Sequence, residues 1–205
     1  MDRKQHWEKV YQERAPDAVS WYQERPEPSL SLIRSLDLQA DAAILDVGGG
    51  ASNLVDHLLA EGYSDLTVLD LSAAALTHAR ERLGDSAEIV TWLETDITRF
   101  VPTRHFGLWH DRAVLHFLTH PEDQASYREA LHRGTQTGSH VIIGTFALDG
   151  PKQCSGLDVV RYSHATLGRF LGASFRLLEH QSCLHHTPWE AEQLFLFAHF
   201  QRVKS

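Results

Sequence analysis

Residues 42–52 read AAILDVGGGAS, a nearly unbroken apolar run that ends in three consecutive glycines. A run of this kind, interrupted only by Asp46, is typical of a parallel strand that is buried on both faces of a sheet. Ser52 is placed to cap a following helix, whose apolar residues share one face until Gly62 ends it. Strand, glycine turn and helix in this order predict the first unit of an open α/β sheet.

The alternation of β-rich runs and helical patterns continues along the chain. Further strands are predicted at 66–69, 87–93, 106–110 and 139–147, and further helices after Ser72, from Thr119 to about Arg133, and over 163–171. Residues 119–122, Thr-His-Pro-Glu, have the form of a capping box. Residues 175–184 and 193–201 predict a closing antiparallel hairpin. We therefore expect a seven-stranded, mostly parallel sheet with helices on both faces and a C-terminal antiparallel hairpin.

The composition limits the size, the partners and the location of the protein. The chain has 205 residues, 42% of them hydrophobic, which suffices for one well-buried domain. A formal net charge of −8 and the absence of a Lys/Arg run predict no nucleic-acid binding. No apolar stretch is long enough for a membrane span, and the N-terminus lacks the apolar core of a signal peptide. Two cysteines make no disulfide framework, so we expect a cytoplasmic, single-domain protein, with its oligomeric state left open.

Three acidic residues follow the first three predicted strands. Asp46 precedes the glycines, Asp70 ends the second strand, and Asp96 follows the third. Ligands of open α/β sheets bind beyond the carboxyl ends of the strands, where these carboxylates converge. Each acid alone is explained as a capping or turn residue. Together they suit a ligand that presents an ammonium group, a ribose diol and an adenine amine, because a carboxylate only accepts hydrogen bonds.

The segments 44–50, 69–70 and 95–97 resemble the cofactor motifs of class I S-adenosylmethionine-dependent methyltransferases, which have a Rossmann-like fold. The resemblance covers residues 40–147 closely. It implies that the glycine loop and Asp46 hold the methionine end of the cofactor, Asp70 the ribose and Asp96 with Ile97 the adenine. Ser52 stands where the family often has a third glycine, a departure shared with one branch of the family. The cofactor-binding residues predicted on this basis are Trp21, Asp46, Gly48, Gly49, Gly50, Asp70, Leu71, Asp96, Ile97 and His110.

A nicotinamide or flavin dinucleotide is the competing ligand for such a glycine loop. Its fingerprint requires a third glycine for close packing of helix on strand, and this chain has Asn53 there. Asp46 would also face a pyrophosphate group with like charge. The sequence therefore disfavours a dinucleotide.

The fourth predicted strand and its sequel, residues 106–118, are expected to pass the transferable methyl group. The triplet Asp111-Arg112-Ala113 resembles that of thiopurine and related thiol methyltransferases, in which this region touches the substrate. Asp111 and His116 are the candidate catalytic residues, and His116 would take a proton from the acceptor. The alternatives are an Asp111–Arg112 ion pair that fixes the end of the strand and a histidine that belongs to the core.

Two further segments are candidate walls of the acceptor pocket. The loop at 149–162, punctuated by Gly and Pro, follows the fifth strand, although each of its polar residues is also compatible with a plain surface turn. The N-terminal residues 1–28 resemble the lid of many small bacterial methyltransferases and are expected to form a helical lid over a core at 40–205, rather than aromatic packing alone. The predicted substrate-binding residues are Tyr22, Arg112, Cys154, Arg161 and Tyr162.

The function predicted from these features is methyl transfer by in-line displacement to a small soft or anionic acceptor, namely a thiol, selenol, metalloid or carboxylate. The alternatives are a protein lysine N-methyltransferase and a non-catalytic regulatory protein that binds the same cofactor. A metal site is not expected, because the histidines near Cys183 alternate along a predicted strand.

Overall fold

The computed structural model describes residues 2–204. Its helices are α1 Arg3–Glu13, α2 Glu27–Arg34, α3 Leu54–Ala60, α4 Ala73–Leu83, α5 Pro121–Gly134 and α6 His164–Leu171. Its strands are β1 Ile44–Val47, β2 Leu66–Asp70, β3 Thr91–Glu94, β4 Leu108–Arg112, β5 His140–Phe146, β6 Gln153–Cys154, β7 Leu157–Asp158, β8 Phe175–His186 and β9 Glu192–Arg202.

Seven of the strands form one sheet in the order β3-β2-β1-β4-β5-β9-β8. The first five strands in this order run parallel, and β9 pairs antiparallel with both β5 and β8. This confirms the predicted mostly parallel sheet with a closing hairpin. Strands β6 and β7 form a separate antiparallel pair, which the sequence did not predict.

The alternation of side chains along the central strands builds one core on each face of the sheet. Leu45 and Val47 of β1 pack into the core that α5 and α6 cover. Ile44 points to the other face and packs with buried residues of α2 and α3. Helices therefore lie on both faces, as expected for a parallel sheet with two buried faces.

The predicted ends of α4 are confirmed, whereas the N-terminal caps predicted for α3 and α5 are wrong. The N-cap of α3 is Asn53, although the Ser52 hydroxyl accepts from the amide of Leu54 at 3.2 Å. The Ser72 hydroxyl caps α4 by accepting from the amide of Ala75 at 3.1 Å, and Gly84, with a φ of 55°, ends that helix. The predicted capping box at 119–122 is absent. Helix α5 has His120 at its N-cap with no side-chain hydrogen bond and relies on Pro121 in its first turn instead.

The segment before β3 also differs from its prediction. Residues 84–89 form a 3₁₀ turn, and the strand begins only at Thr91. The indole N–H of Trp92 donates to the carbonyl of Ala87 at 2.9 Å, which holds the chain folded back ahead of the strand. This tertiary contact outweighs the strand propensity of residues 87–90.

The sheet order reverses between β1 and β4, which are neighbours although β2 and β3 separate them in sequence. Adjacent crossovers leave on opposite sides at such a point, so a crevice opens beyond the carboxyl ends of the two strands. The glycine loop after β1 and the segment after β4 both lie at this crevice.

Candidate active site

A cleft of about 830 Å³, partly open to solvent, lies at this edge of the sheet. Parts of the N-terminal segment, the ends of β2, β3 and β4, β6 and β9 contribute its walls. The predicted site residues that line it are Trp21, Gly48, Asp70, Leu71, Asp96, Ile97, Arg112, His116 and Cys154. The chain thus brings nine of the residues singled out from sequence to one place.

The glycine loop is shaped by close approach on both sides. Gly48 has a φ of 70°, and a Cβ there would lie 2.1 Å from Cγ2 of Val114. A Cβ at Gly50 would lie 2.4 Å from Oδ2 of Asp70. A side chain at either position would clash with Val114 or Asp70, so glycine is what allows these two side chains to approach the loop so closely.

Asp70 places a buried carboxylate at the end of β2. Its Oδ1 accepts from the amide of Ser72 at 2.8 Å, and its side chain lines the cleft. Burial raises the pKa of the Asp70 carboxyl to about 7, because the hydrogen bonds from the backbone of Ser72 and Leu71 offset only part of the desolvation. A ligand that donates hydrogen bonds to this carboxylate would compensate for its lost solvation.

Asp96 combines a turn role with an ion pair at the wall of the cleft. Its Oδ1 accepts from the amide and the hydroxyl of Thr98 at 2.9 and 2.8 Å. Its Oδ2 faces Arg3 at 3.3 Å, and that arginine also pairs with Asp123. Ile97, buried beside it, gives the cleft an apolar floor at this end.

Asp46 points away from the cleft, contrary to the direct contact with the methionine end that the sequence predicted for it. It shares the face of Ile44, where its Oδ1 accepts from Nδ1 of His110 at 2.7 Å. Since a carboxylate only accepts, His110 carries its proton on Nδ1, and its Nε2 accepts from the Ser29 hydroxyl at 2.8 Å. Asp46 and His110 therefore support the glycine loop from behind. Neither of them lines the cleft, and of the loop itself Gly48 does so whereas Gly49 and Gly50 do not.

Asp111 is likewise withdrawn from the cleft. Its carboxylate accepts from the amides of Val114 and Leu115 at 2.9 and 3.1 Å and from the hydroxyl of Tyr127 at 2.7 Å. Burial raises its pKa to about 6. It is fully buried and forms no ion pair with Arg112 among the described residues. Asp111 stabilises the turn after β4, and its side chain does not line the cleft.

Arg112 turns into the cleft as a guanidinium without an acidic partner in the described chain. Its Nη2 donates to the carbonyl of Trp21. Burial lowers the pKa of Arg112 to about 10, and the nearby charge of Asp46 offsets part of that effect, so the group is charged at neutral pH. Arg112 also borders a smaller cavity beside the glycine loop, where Tyr22 lies.

His116 and Cys154 complete the far end of the cleft. Both side chains are buried, and burial lowers the pKa of His116 to about 3 and raises that of Cys154. Arg161 lies outside the cleft and donates to the carbonyls of Leu148 and Gly150, which pins the 149–162 loop. Tyr162 is buried in the core beneath that loop. The sequence predicted that Arg161 and Tyr162 bind the substrate, but neither of them lines the cleft.

The N-terminal segment covers the cleft from above. Only residues 3–13 of the predicted helical lid form an α-helix, followed by a 3₁₀ turn at 16–18. Trp7 packs edge-to-face on Trp21 and Phe117, with ring centroids 5.5 and 4.9 Å apart. The indole of Trp21 donates to the hydroxyl of Tyr11 at 3.1 Å. These rings form an aromatic roof over the cleft.

Polar contacts fasten helix α1 to three elements of the core. Glu8 accepts from the Ser72 hydroxyl at 2.8 Å and from the amide of Ala74 at 3.3 Å, so it caps α4. Lys4 pairs with Glu94 at 2.5 Å, and Arg3 reaches Asp96 and Asp123. The ion pairs are partly or largely exposed and individually weak, which is compatible with a segment that opens and closes.

No group of three or more His, Cys, Asp or Glu side chains among residues 2–204 is arranged to hold a metal ion. None of the helices in that range is long and apolar enough to cross a membrane.

Comparison with known proteins gives a family match over part of the chain. Residues 44–138, from β1 through the cleft segment after β4 to the start of β5, match the family model of a methyltransferase domain. The chain therefore carries a methyltransferase domain over these residues. The matched region contains the glycine loop, Asp70, Asp96, Arg112 and His116.

The curated relatives of this methyltransferase differ in length. It is 24% identical over 177 residues to the eEF1A lysine and N-terminal methyltransferase of Mus musculus, covering 86% of this chain and 24% of that protein. It is 33% identical over 132 residues to nodulation protein S of Sinorhizobium fredii, covering 63% of this chain and 58% of that protein. The chain thus spans about a quarter of the length of the murine relative.

A solved structure with the same fold covers nearly the whole methyltransferase. The N-methyltransferase NodS of Bradyrhizobium japonicum, in complex with S-adenosylhomocysteine, superposes with a TM-score of 0.72 at 18% sequence identity. The match covers 98% of this chain and 99% of that one.

Sequence reasoning missed several residues of the methyltransferase cleft. Val114, Phe117 and Leu118 belong to the segment 106–118 that it did single out, and only their side-chain directions were unknown. Gln193 and Phe195 come from β9, near the end of the chain, and no local signal marks them. The lining residues that lie outside every segment singled out for the site from sequence are Gln193 and Phe195; Arg3, Trp7, Tyr11, Leu69, Thr95, Ala113, Val114, Phe117 and Leu118 lie inside such a segment but were not named as binding residues.

Proposed function

We propose that this chain transfers a methyl group from S-adenosylmethionine to a small soft or anionic acceptor, such as a thiol, selenol, metalloid or carboxylate. The observation that carries the proposal is the acceptor end of the cleft. Its charged side chain is the guanidinium of Arg112, which has no acidic partner in the described chain and lies in the same cleft as the uncharged imidazole of His116, while the carboxylates of Asp46 and Asp111 are turned away. A pocket with this charge favours an anionic acceptor and disfavours an ammonium group.

The cofactor fits the other end of the cleft. Asp70 accepts from the ribose hydroxyls, since it is a buried carboxylate whose raised pKa marks incomplete compensation for lost solvation. Asp96 and the apolar side chain of Ile97 take the adenine. The methionine end lies against Gly48, the residue of the glycine loop that lines the cleft, and the Asp46–His110 pair holds the loop in place from behind.

S-adenosylmethionine supplies an electrophilic methyl group on a positively charged sulfur. The acceptor attacks this methyl carbon in line with the carbon–sulfur bond, and the sulfur is the leaving group. The residues of this chain align the reactants and exclude water. Trp7, Trp21 and Phe117 close the cleft from above and present aromatic rings, which attract cations through their π faces. The guanidinium of Arg112 orients the acceptor by attracting the negative charge of the acceptor. In this proposal residues 1–28 act as a lid on a single domain that extends to residue 205.

The ionisation of Asp70 predicts a pH dependence of cofactor binding. The carboxyl group must be ionised to accept from both ribose hydroxyls, and its pKa in the free protein is about 7. The affinity for S-adenosylhomocysteine should therefore fall as the pH drops below 7, approaching tenfold per pH unit. Calorimetry between pH 5.5 and 8.5 measures this slope. Asp70→Asn is the control, and a slope that persists in this variant would assign the effect to another group.

Replacing Arg112 separates acceptor binding from cofactor binding. Arg112→Gln should raise the KM for an anionic acceptor at least tenfold and leave the Kd of S-adenosylhomocysteine within about threefold. Arg161→Gln, outside the cleft, is the matched control and should change neither value. A tenfold loss of S-adenosylhomocysteine affinity in Arg112→Gln would instead assign the guanidinium to the carboxylate of the cofactor.

A screen with methyl-tritiated S-adenosylmethionine tests the proposed reaction. Small thiols, selenols, metalloids and carboxylates should receive label, and free amines and lysine peptides should receive little. The Asp70→Ala variant supplies the background. Efficient labelling of lysine peptides without labelling of the anionic acceptors would contradict the proposal.

A protein lysine methyltransferase is the second candidate function, because a relative over 86% of this chain is named for that activity. It would require groups that bind an ammonium ion and release its proton. A small-molecule acceptor also accords with the lid over the cleft. The net charge of −8 supports our proposal that the protein has no nucleic-acid partner. We also propose that the protein is cytoplasmic.

A further inference from the structure

We propose that His116 is a neutral hydrogen-bond donor to the methyl acceptor, not its base, and that Gln193 is a second recognition residue for this acceptor. The acceptor is then a small planar anion that enters the cleft with its nucleophilic lone pair already free. This inference rests on the proposed function and specifies the substrate class of the same site.

The hydrogen bonds of His116 define its tautomer. The backbone N–H of Phe146 points at Nδ1 of His116 at 3.4 Å, so Nδ1 is the accepting nitrogen. A neutral imidazole has one donor and one acceptor nitrogen, and its proton is therefore on Nε2. Nε2 is buried without a hydrogen-bond partner in the described chain, while the His116 side chain lines the cleft. In this proposal the unpaired N–H group at the wall of the cleft donates to the acceptor.

The surroundings of His116 keep it neutral. Its ring packs on Phe117 and Phe146, with centroids 4.4 and 4.8 Å away, and burial lowers its pKa to about 3. The charged groups that line the same cleft are Arg3, Asp70, Asp96 and Arg112. Burial is the cause that sets the pKa of His116, and none of these charges raises it.

No other side chain at this end of the cleft is available as a base. Asp111 is saturated by two amides and the Tyr127 hydroxyl, and it does not line the cleft. Burial raises the pKa of Cys154 and of Tyr11, so both stay protonated at neutral pH. The acceptor must consequently lose any proton to solvent before it binds.

The remaining walls select a flat molecule. Gln193 and Phe195 are two residues apart on β9 and both line the cleft, as expected for one face of a strand. Phe195 packs on Phe146, the same ring that His116 contacts. The Oε1 atom of Gln193 is buried without a partner in the described chain. Because this oxygen only accepts hydrogen bonds, the edge of the ligand that faces it must carry an N–H or O–H group. The unpaired atoms Nε2 of His116 and Oε1 of Gln193 thus lie among aromatic rings. Apolar walls with a few polar atoms of this kind hold a flat ligand by hydrogen bonds to its edges.

The reaction balances without a proton transfer inside the cleft. The lone pair of the anionic acceptor forms a bond to the methyl carbon, the carbon–sulfur bond breaks, and its electron pair stays on sulfur. The acceptor loses its negative charge and the sulfur its positive charge. The Nε2–H of His116 orients the acceptor and is not consumed.

Nuclear magnetic resonance of the ¹⁵N-histidine-labelled full chain tests the tautomer. His116, assigned by its loss in the His116→Gln variant, should show a protonated Nε2 and an unprotonated Nδ1 that do not titrate between pH 5.5 and 8. An Nδ1–H tautomer, or titration in this range, would overturn the proposal. This readout needs no acceptor and no turnover.

Benzoate and benzamidine, two planar probes of similar size and opposite charge, test the recognition. In the complex with S-adenosylhomocysteine, benzoate should bind, shift the Nε2–H resonance of His116 and outcompete benzamidine by at least tenfold. His116→Phe should weaken benzoate about tenfold, and His116→Gln, which keeps a donor, should recover part of the loss. Gln193→Glu should weaken benzoate through like charge, whereas Gln181→Glu on the exposed side of β8 should not.

Equal or tighter binding of benzamidine, or no benzoate binding at 10 mM, would refute the inference while S-adenosylhomocysteine still binds. Failure to bind S-adenosylhomocysteine at all would instead refute the proposed function. The two failures are therefore distinguishable in the same titration.

Discussion

Replacing Asp70 with alanine is expected to weaken binding of S-adenosylhomocysteine by one to two orders of magnitude. The buried carboxylate at the end of β2 accepts from two ribose hydroxyls in our proposal, and the loss of two such hydrogen bonds corresponds to about 1–3 kcal/mol. Calorimetry on the folded variant measures the change. Asp85→Ala, which removes an equal charge from an exposed turn, is the control and should bind as tightly as the wild type.

The same substitution should not destabilise the ligand-free protein at pH 8. The pKa of the Asp70 carboxyl in the folded chain, about 7, lies above its ordinary value of 3.8. The folded state therefore binds more protons than the unfolded state between these values, and this group lowers stability as the pH rises from about 4 to 7. Asp70→Ala should have an equal or higher Tm without ligand and lose ligand-induced stabilisation. An unchanged affinity in a folded variant would remove Asp70 from the site.

Deletion of residues 1–24 is expected to abolish turnover and most of the stabilisation by S-adenosylhomocysteine. The deleted segment carries Trp7, Tyr11 and Trp21, which form the roof of the cleft, and Glu8, which caps α4. Its apolar contacts form a small cluster beside the two main cores, so the ligand-free Tm should fall only modestly. Thermal melts with and without the ligand separate the two effects.

A point variant makes the same test without truncation. Trp7→Ala removes one ring from the roof and should reduce the ligand-induced rise in Tm, whereas Lys9→Ala, on the exposed side of the same helix, should not. Full ligand-induced stabilisation of both the truncated chain and Trp7→Ala would refute the lid and leave aromatic packing as the role of this segment.

The cofactor end of the cleft was largely predictable from sequence because its residues are local to strand ends. The apolar runs before Asp70 and Asp96 place these carboxylates at one edge of a parallel sheet, whatever the details of packing. Asp46 shows the limit of this argument. Its position on β1 was predicted correctly, but strand alternation turns it toward His110, its register partner on β4. The apolar residues on either side of Asp46 carried that signal.

The acceptor end was less predictable because distant segments build it. Gln193 and Phe195 reach the cleft because β9 pairs with β5. This pairing places the last strand of the chain next to the parallel strands, with β8 outside it. Helix α2 was missed although Pro28 in its first turn and the spacing of Leu30 and Ile33 are helical signals. The 3₁₀ turn before β3 depends on the indole of Trp92, a tertiary contact that no local pattern reveals.

The most direct test of the account is a crystal structure of the complex with S-adenosylhomocysteine. The account predicts the ribose hydroxyls on the Asp70 carboxylate, the adenine between Asp96 and Ile97, and the sulfur atom under the rings of Trp7 and Trp21, facing His116. A ligand bound elsewhere, or a ribose without contact to Asp70, would contradict it.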